Sequence, residues 1–484
     1  MALTWTVNIK WDGTNNVNEA SRLQALRVTR GRKAALKSGG GGFEAQGIGE
    51  AVLTLDNSDG RFDPFNSSSA LYPDVAPGKQ VQITVSDGTS YNVMRGHIAN
   101  IQPIRSSSGA KRTRVTVRDG WQWLRERAVR YAATASVNTG TAVSNLLTAA
   151  QYPFSTSVDT GADTIPYWWA SNKNAKDEIQ SIADSEMALV YCAGDGTLTY
   201  KKRSTQWTGA SAATWTGAEM TEIDLAMPWD VLRNVIQIRV YPTEIIANGA
   251  PGNQNLWRSA RTFKIRAGKT QTYNVEYKYE GEKCSAINVI APAATTDYRA
   301  WSNDNGTGDD LTSALTVTLT DKGQDAQIVL TNGGTRAAWV TLLQVRGDVL
   351  NKTDALIVES DTSGGSNRRT FLLDVPWQQD VETAQVYADH LANYFDNPRA
   401  APTVRTNTVK AGLARQLAEL ATVQTINVSA LGVNAAYRIA GVEHDWDAHH
   451  PNLIWSQLYF EHKDATNYFV LNTSTLNGSH VLAY

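Results

Sequence analysis

Leu3, Trp5, Val7, Ile9 and Trp11 fall on one face of an extended segment, and Thr4, Thr6, Asn8 and Lys10 on the other. Successive strand side chains point to opposite sides, so this period of two predicts a half-buried β-strand. Ala51-Val52-Leu53-Thr54-Leu55 is rich in residues that suit a pleated surface. It ends at Asp56-Asn57-Ser58-Asp59-Gly60, whose polar side chains bond their own backbone and whose glycine accepts positive φ. Pro64 and Pro73 keep the following connection extended. Val81-Gln82-Ile83-Thr84-Val85 alternates again, Asp87-Gly88 marks a hairpin turn, and Tyr91 to Ile101 supplies the return. These elements predict a small twisted β-barrel or sandwich with a long loop on one side.

From Trp121 to about Arg203 the period changes. Ala142 to Ala150 reads as a short helix. Asn174 caps a second one, with Ile179, Ile182, Ala183 and Met187 on one face. Gly194-Asp195-Gly196 then turns Leu189-Val190-Tyr191 into a strand from Thr197 to Tyr200. Leu232 to Tyr241 alternates once more, and β-rich segments separated by turns run from about Asn248 to Asp348, as in a sandwich. Asp380 caps a helix whose Ala384, Tyr387, Ala388, Leu391, Tyr394 and Phe395 recur at helical spacing. Strands return at Val423–Val428, Tyr437–Val442 and Leu453–Phe460.

Two stretches repeat. Val52-Leu53-Thr54-Leu55, Val81 to Val85 and Arg95 to Ile101 match Val235 to Ile238, Val423 to Val428 and Arg438 to Val442 in order. The resulting expectation is a mainly β chain with smaller α+β parts. Residues 1–120 form a first tube-like barrel and 121–210 an inserted α+β lobe. Residues 211–247 begin a second, similar barrel, 248–355 are an inserted β-sandwich, and 356–462 supply a helix and the rest of the second barrel. Residues 463–484 form a tail that docks through its apolar end.

Composition narrows the classes. At 484 residues, several domains are expected, and 42% hydrophobic residues suffice for large cores. A net charge of −2 argues against specific nucleic-acid binding or attraction to an anionic membrane. No apolar run approaches the roughly 20 residues of a membrane span, and the start of the chain does not read as a secretory signal. Cys192 and Cys284 are too few and too far apart for a disulfide framework, which suits a reducing site of assembly. Fifteen tryptophans are many. Trp5, Trp11, Trp121 and Trp123 are candidates for buried seams, because aromatic anchors dominate interface energies.

The run LTLDNSDGRFDP, followed by Tyr72-Pro73, Pro77-Gly78, a strand, a turn and Arg95-Gly96-His97-Ile98, resembles the opening domain of phage minor tail proteins. These are the tail hubs of long-tailed phages, related to the baseplate hubs of contractile tails. The resemblance marks Asp56, Asn57, Asp59, Gly60, Arg61, Phe62, Asp63 and Pro64 as a family-like loop motif. It implies a structural protein at the tail tip of the virion, assembled in the host cytoplasm as a homotrimer around a channel for DNA. Its implied partners are the distal tail protein, the tape-measure protein and tip or fibre proteins, with only indirect contact to the host surface.

Signals for chemistry are sparse, and no enzymatic activity, cofactor or metal is expected. Glu443-His444-Asp445-Trp446-Asp447-Ala448-His449-His450 is the densest group of possible ligands. It crosses a strand end and a turn, where alternate residues face opposite ways, and reads as a polar hairpin rather than a zinc site. Gly39 to Gly42 lack the lysine and hydroxyl residue of a phosphate loop, and Lys111 to Arg118 reads as a solvated strand face. The turns at Gly60 and Gly306 lack the carboxylates of a calcium loop at both ends. No motif of a serine hydrolase, zinc protease or nucleotide-binding loop occurs. A receptor-binding protein using Tyr167-Trp168-Trp169 as a glycan platform is the alternative, and a tail-associated cell-wall hydrolase a third.

Overall fold

The computed structural model describes residues 2–33, 44–107, 109–205, 209–226, 232–365, 367–396 and 400–462, and two short paired strands, Tyr468–Phe469 and Val481–Leu482. The glycine run 39–42 and the remainder of the tail 463–484 lie outside the described residues. Strands account for 49% of the chain and helices for 13%, so the fold is mainly β.

The first module is continuous in sequence. Its strands are β1 (Thr4–Ile9), β2 (Leu23–Gly31), β3 (Gly47–Asp56), β4 (Gln80–Ser86), β5 (Ser90–Arg105) and β6 (Lys111–Arg118). Their antiparallel order in the sheet is β2-β3-β6-β5-β4-β1. Alternate residues of each strand, including Val7, Val28, Leu53, Ile83 and Val115, are buried in one apolar core. The opposite face carries Arg27, Thr54, Arg114 and their neighbours, as the period of two requires.

Next come α1 (Gly120–Arg125), β7 (Ala128–Asn138), α2 (Thr139–Ala149), β8 (Thr164–Asn174) and α3 (Ala175–Glu186). Asn174 caps α3 by accepting from Asp177 N at 2.8 Å. Met187 lies just past α3 in the left-handed region, with φ +56°, and not on the helix face. The β7–β8 ribbon leaves little signal in the sequence, because Tyr131, Trp168 and Trp169 do not follow a clean alternation across its two register shifts.

The chain then runs through β9 (Thr214–Trp215), β10 (Glu222–Ala226), β11 (Val235–Val240), β12 (Ala338–Lys352), β13 (Leu356–Asp361), β14 (Thr370–Asp374) and α4 (Val381–Phe395). It ends in β15 (Ala401–Asn407), β16 (Val423–Val428), β17 (Val433–Asp447) and β18 (Ile454–His462). Residues around β12 and the three strands Thr270–Glu276, Leu315–Asp321 and Asp325–Asn332 enclose a separate apolar core.

β11, expected to open the second barrel, does not join that module. β11 pairs with β13 and β14, and α4 covers that small sheet. The true counterpart of β3 is β15. Listing the second module by neighbours gives β10-β15-β18-β17-β16, with β9 beside β16. The two modules therefore visit five antiparallel strands in the same order, whether read along the chain or across the sheet. They are not separate closed barrels. β2 pairs with β17, so one sheet of thirteen strands passes through both.

Local detail supports the equivalence. β5 has a register shift between Ile98 and Asn100, and β17 has one between Ile439 and Gly441. Ile98 N donates to Lys79 O at 2.9 Å and accepts Gly78 N at 2.7 Å through its carbonyl; Ile439 makes the same two bonds to Thr422 and Ala421, at 3.0 and 2.8 Å. Gly78 and Ala421 share left-handed backbone, with φ +87° and +66°.

Candidate assembly site

The seam between the modules shows how this sheet joins its units. Seven residue pairs run from Ala25–Asp447 to Gly31–Gly441. β2 brings cations and β17 with β18 brings carboxylates. Arg27 lies 3.5 Å from the mostly buried Glu443 and 3.7 Å from the exposed Asp445; its own guanidinium is largely in water, where such pairs contribute little. The buried part is tighter. Arg32 Nε donates to Glu461 Oε1 at 2.7 Å, and Arg438 Nε and Nη2 donate to Glu461 Oε2 at 3.0 and 2.8 Å. Burial pushes the Glu461 carboxyl up, but Arg32 and Arg438 outweigh it and hold the group at about 2.

Close approach requires glycine on both strands. A Cβ on Gly31 would sit 2.2 Å from Ala440 O, and one on Gly441 would sit 2.4 Å from Arg32 O. Behind the seam Trp5 meets Trp446 at 5.4 Å, so an aromatic of each module contributes to the contact.

The family-like loop is a clasp at the end of the first module. Asp59 receives two bonds from Arg22, at 3.0 and 2.7 Å. Arg61 Nη2 and Trp11 Nε1 both donate to Glu19 Oε1, at 2.9 and 3.1 Å. Asn57 Oδ1 accepts Phe62 N at 2.8 Å, and Phe62 is buried beside Trp11 with Arg22 and Arg61 both 5.8 Å from its ring centroid. Asp63 Oδ1 accepts Phe65 N across half-buried Pro64, Asp56 Oδ2 accepts Ser58 Oγ, and Gly60 turns at φ +72°. The motif's role here is therefore local order. Arg22 and Glu19, which complete the clasp, lie outside the motif and carried no sequence signal. Phe65 projects from it, 88% exposed.

Other expected residues lie apart. Trp5, Trp11 and Trp121 are buried in the chain's own cores, while Trp123 is half-buried, donating to Ala150 O at 3.0 Å and covered by Arg127. Trp168 and Trp169 are buried too, the latter edge-on to Trp377 at 5.2 Å, so the triplet presents no open platform. His444 points inward, 2.9 Å from Ser456 Oγ, and burial pushes its pKa down to about 3. His449 and His450 sit on the turn beyond, and no three potential metal ligands gather among the described residues. No described helix is long and apolar enough to cross a membrane.

Several edges of the great sheet lack a strand partner among the described residues, and two of them are matched by the repeat. One is the outer side of β10; the other is the β5 segment from Asn100 to Arg105, on the side away from β6. In the repeat these correspond to β2 and to residues 441–446 of β17, the two strands that meet at the seam.

No protein-family model matches the sequence, and no curated protein sequence matches it. Solved structures do. The 43 kDa tail protein of prophage MuSo2 from Shewanella oneidensis aligns with 96% of this chain and 99% of its own length, at 9% identity and a TM-score of 0.52. A tail protein from Neisseria meningitidis MC58 aligns over 95% and 96%, at 9% identity and a TM-score of 0.51. Over nearly its whole length, the chain carries the fold of these phage tail proteins.

Proposed function

We propose that the chain is a structural hub at the tip of a phage tail: a homotrimer surrounding the channel for DNA passage and joining the tail tube and distal tail ring to tip or fibre proteins. One observation carries this reading, namely the five-stranded module present twice on one sheet. The resemblance to tail hubs brings the expectation of a sixfold tube above a threefold tip. Closed assemblies repeat the same contacts, so three chains match six tube subunits only if each offers two equivalent units. Covalent linkage of the two modules also makes every second joint intramolecular, which favours closure.

The role is assembly without catalysis, in contact with distal tail, tape-measure and tip proteins of the same virion. Light scattering on the pure protein should give three times the 52.8 kDa chain. A monomer at micromolar concentration would end the hub reading, and clearing of cell-wall material by the pure protein would return the hydrolase.

A further inference from the structure

We infer that the cleft between the α+β lobe and the unit around β12 binds an acidic saccharide, a hydroxylated ligand that also carries a carboxylate or phosphate. All the groups involved belong to one chain, so binding there requires neither the hub nor a second copy.

The cleft has a volume of about 440 Å³, within the range of small-molecule sites. The lobe contributes Trp169 and Lys173 of β8 and Glu178 of α3. The other wall has Lys352, the last residue of β12, and half-buried Tyr279, and Trp377 follows β14. The two walls are fixed against each other. A Cβ on Gly323 would lie 2.6 Å from Tyr131 O, so only glycine allows the close approach there. Beside it Arg130 Nη1 donates to Asp325 Oδ1 at 3.1 Å.

Lys352 is the first recognising group. Its Nζ lies 4.7 Å from the ring centroid of Trp377, 5.0 Å from that of Trp169 and 5.7 Å from that of Tyr241. Ring faces attract an ammonium and hold it in place, but they leave its N–H donors for another acceptor. No carboxylate forms an ion pair with it among the described residues, and Glu178 and Asp374 act on it only from farther off. Enclosure by the cleft walls, and then the Lys173 ammonium, push its pKa down to about 8. At neutral pH two ammonium groups thus repel each other in one cleft, and an anion between them relieves that repulsion.

Glu178 is the second group. Its side chain is 1% exposed, and its Oε1 has no hydrogen-bond partner among the described residues. A buried carboxyl oxygen without a partner costs free energy, and a ligand O–H restores it.

These two demands select the class. An inorganic anion answers the lysines and leaves Glu178 unpaired. A neutral sugar answers Glu178 and leaves the lysines without a counterion. A free amino acid brings its own ammonium beside both lysines. A hydroxylated acid meets every demand: its hydroxyl reaches Glu178 Oε1, its acid group Lys173 and Lys352, and its C–H face the Tyr279 ring. A polysaccharide chain and a free sugar acid share this chemistry.

Calorimetric titration of the full chain with glucuronic acid should show saturable binding, about ten-fold or more tighter than with glucose or inorganic phosphate. Lys173→Gln, at an exposed position, and Glu178→Gln should each weaken it about ten-fold or more without changing the particle mass in light scattering. Phosphate binding as tightly as glucuronic acid would mean an adventitious ion only, and glucose doing so would remove the need for an acid; either result overturns the site. It is overturned equally by binding that both substitutions leave intact, or by no saturation up to about 50 mM, which leaves only water in the cleft. A glucuronic acid oligomer that binds more tightly than the monomer supports the site and assigns it to a polysaccharide. Tighter binding of the monomer supports it too, and assigns a free sugar acid.

Discussion

The two modules have one strand order but different connections between the strands. In the first, β2 and β3 are separated by residues 32–46, a basic and glycine-rich stretch of sequence. In the second, the same step from β10 to β15 takes residues 227–400, containing the small sheet under α4 and the whole core around β12. Closing a loop costs only about 0.6 kcal/mol for each doubling of its length, so a sheet tolerates an inserted domain where it tolerates a loop. The step from β3 to β4 differs in another way. There the first module has the Arg22–Asp59 clasp, while the second has a short helix, Leu413–Gln416. Strand order is what the modules share; the connections are where each carries its own additions.

The comparison is broken most severely at the seam, where β2 of the first module has β17 of the second as its partner. Glu461→Gln would leave Arg32 and Arg438 buried against a neutral amide, at a cost of about 3–5 kcal/mol in urea unfolding. The native carboxyl titrates at about 2 and an unfolded glutamate at about 4.3, so its contribution is complete above about pH 4.3 and is lost as pH falls through 2. The variant should lose that part of the acid sensitivity. An unchanged urea midpoint would show that the triad is not needed.

Gly441→Ala and Asn100→Ala form a matched pair. The first drives a Cβ into Arg32 O and should cost about 1–3 kcal/mol, the usual range for overpacking. The second lies at the equivalent place on a free edge and should change monomer stability by less than about 0.5 kcal/mol. Equal effects on thermal unfolding would mean that the two positions are not distinguished by the seam.

The smallest test sharpens the equivalence itself. Gly78→Ala and Ala421→Gly exchange residues between two left-handed positions. The first should destabilise by about 1 kcal/mol and the second stabilise by up to about 1 kcal/mol, because alanine alone resists positive φ. Shifts of the same sign would refute the shared geometry.

The alternation of Trp5, Val7 and Ile9 determined a half-buried strand, because side-chain direction in a strand depends only on neighbours in the chain. Asn174 and Asp380 determined where two helices begin for the same reason: a cap bonds amides two or three residues away. The likeness of Ile98-Ala99-Asn100-Ile101 to Ile439-Ala440-Gly441-Val442 was also readable, and the shared bulge explains why. Which strands pair was not readable. Val235 to Val240 alternates more cleanly than Ala401 to Asn407, yet only the latter belongs to the repeat, because periodicity reports burial and not the sheet that provides it. Nor could the seam be seen. Arg32 and Glu461 are separated by 429 residues, and their meeting follows from the folding of both modules. The tertiary structure alone decided that two units expected as separate barrels share one sheet, since joining β2 to β17 satisfies the backbone groups that each would otherwise leave at an open edge.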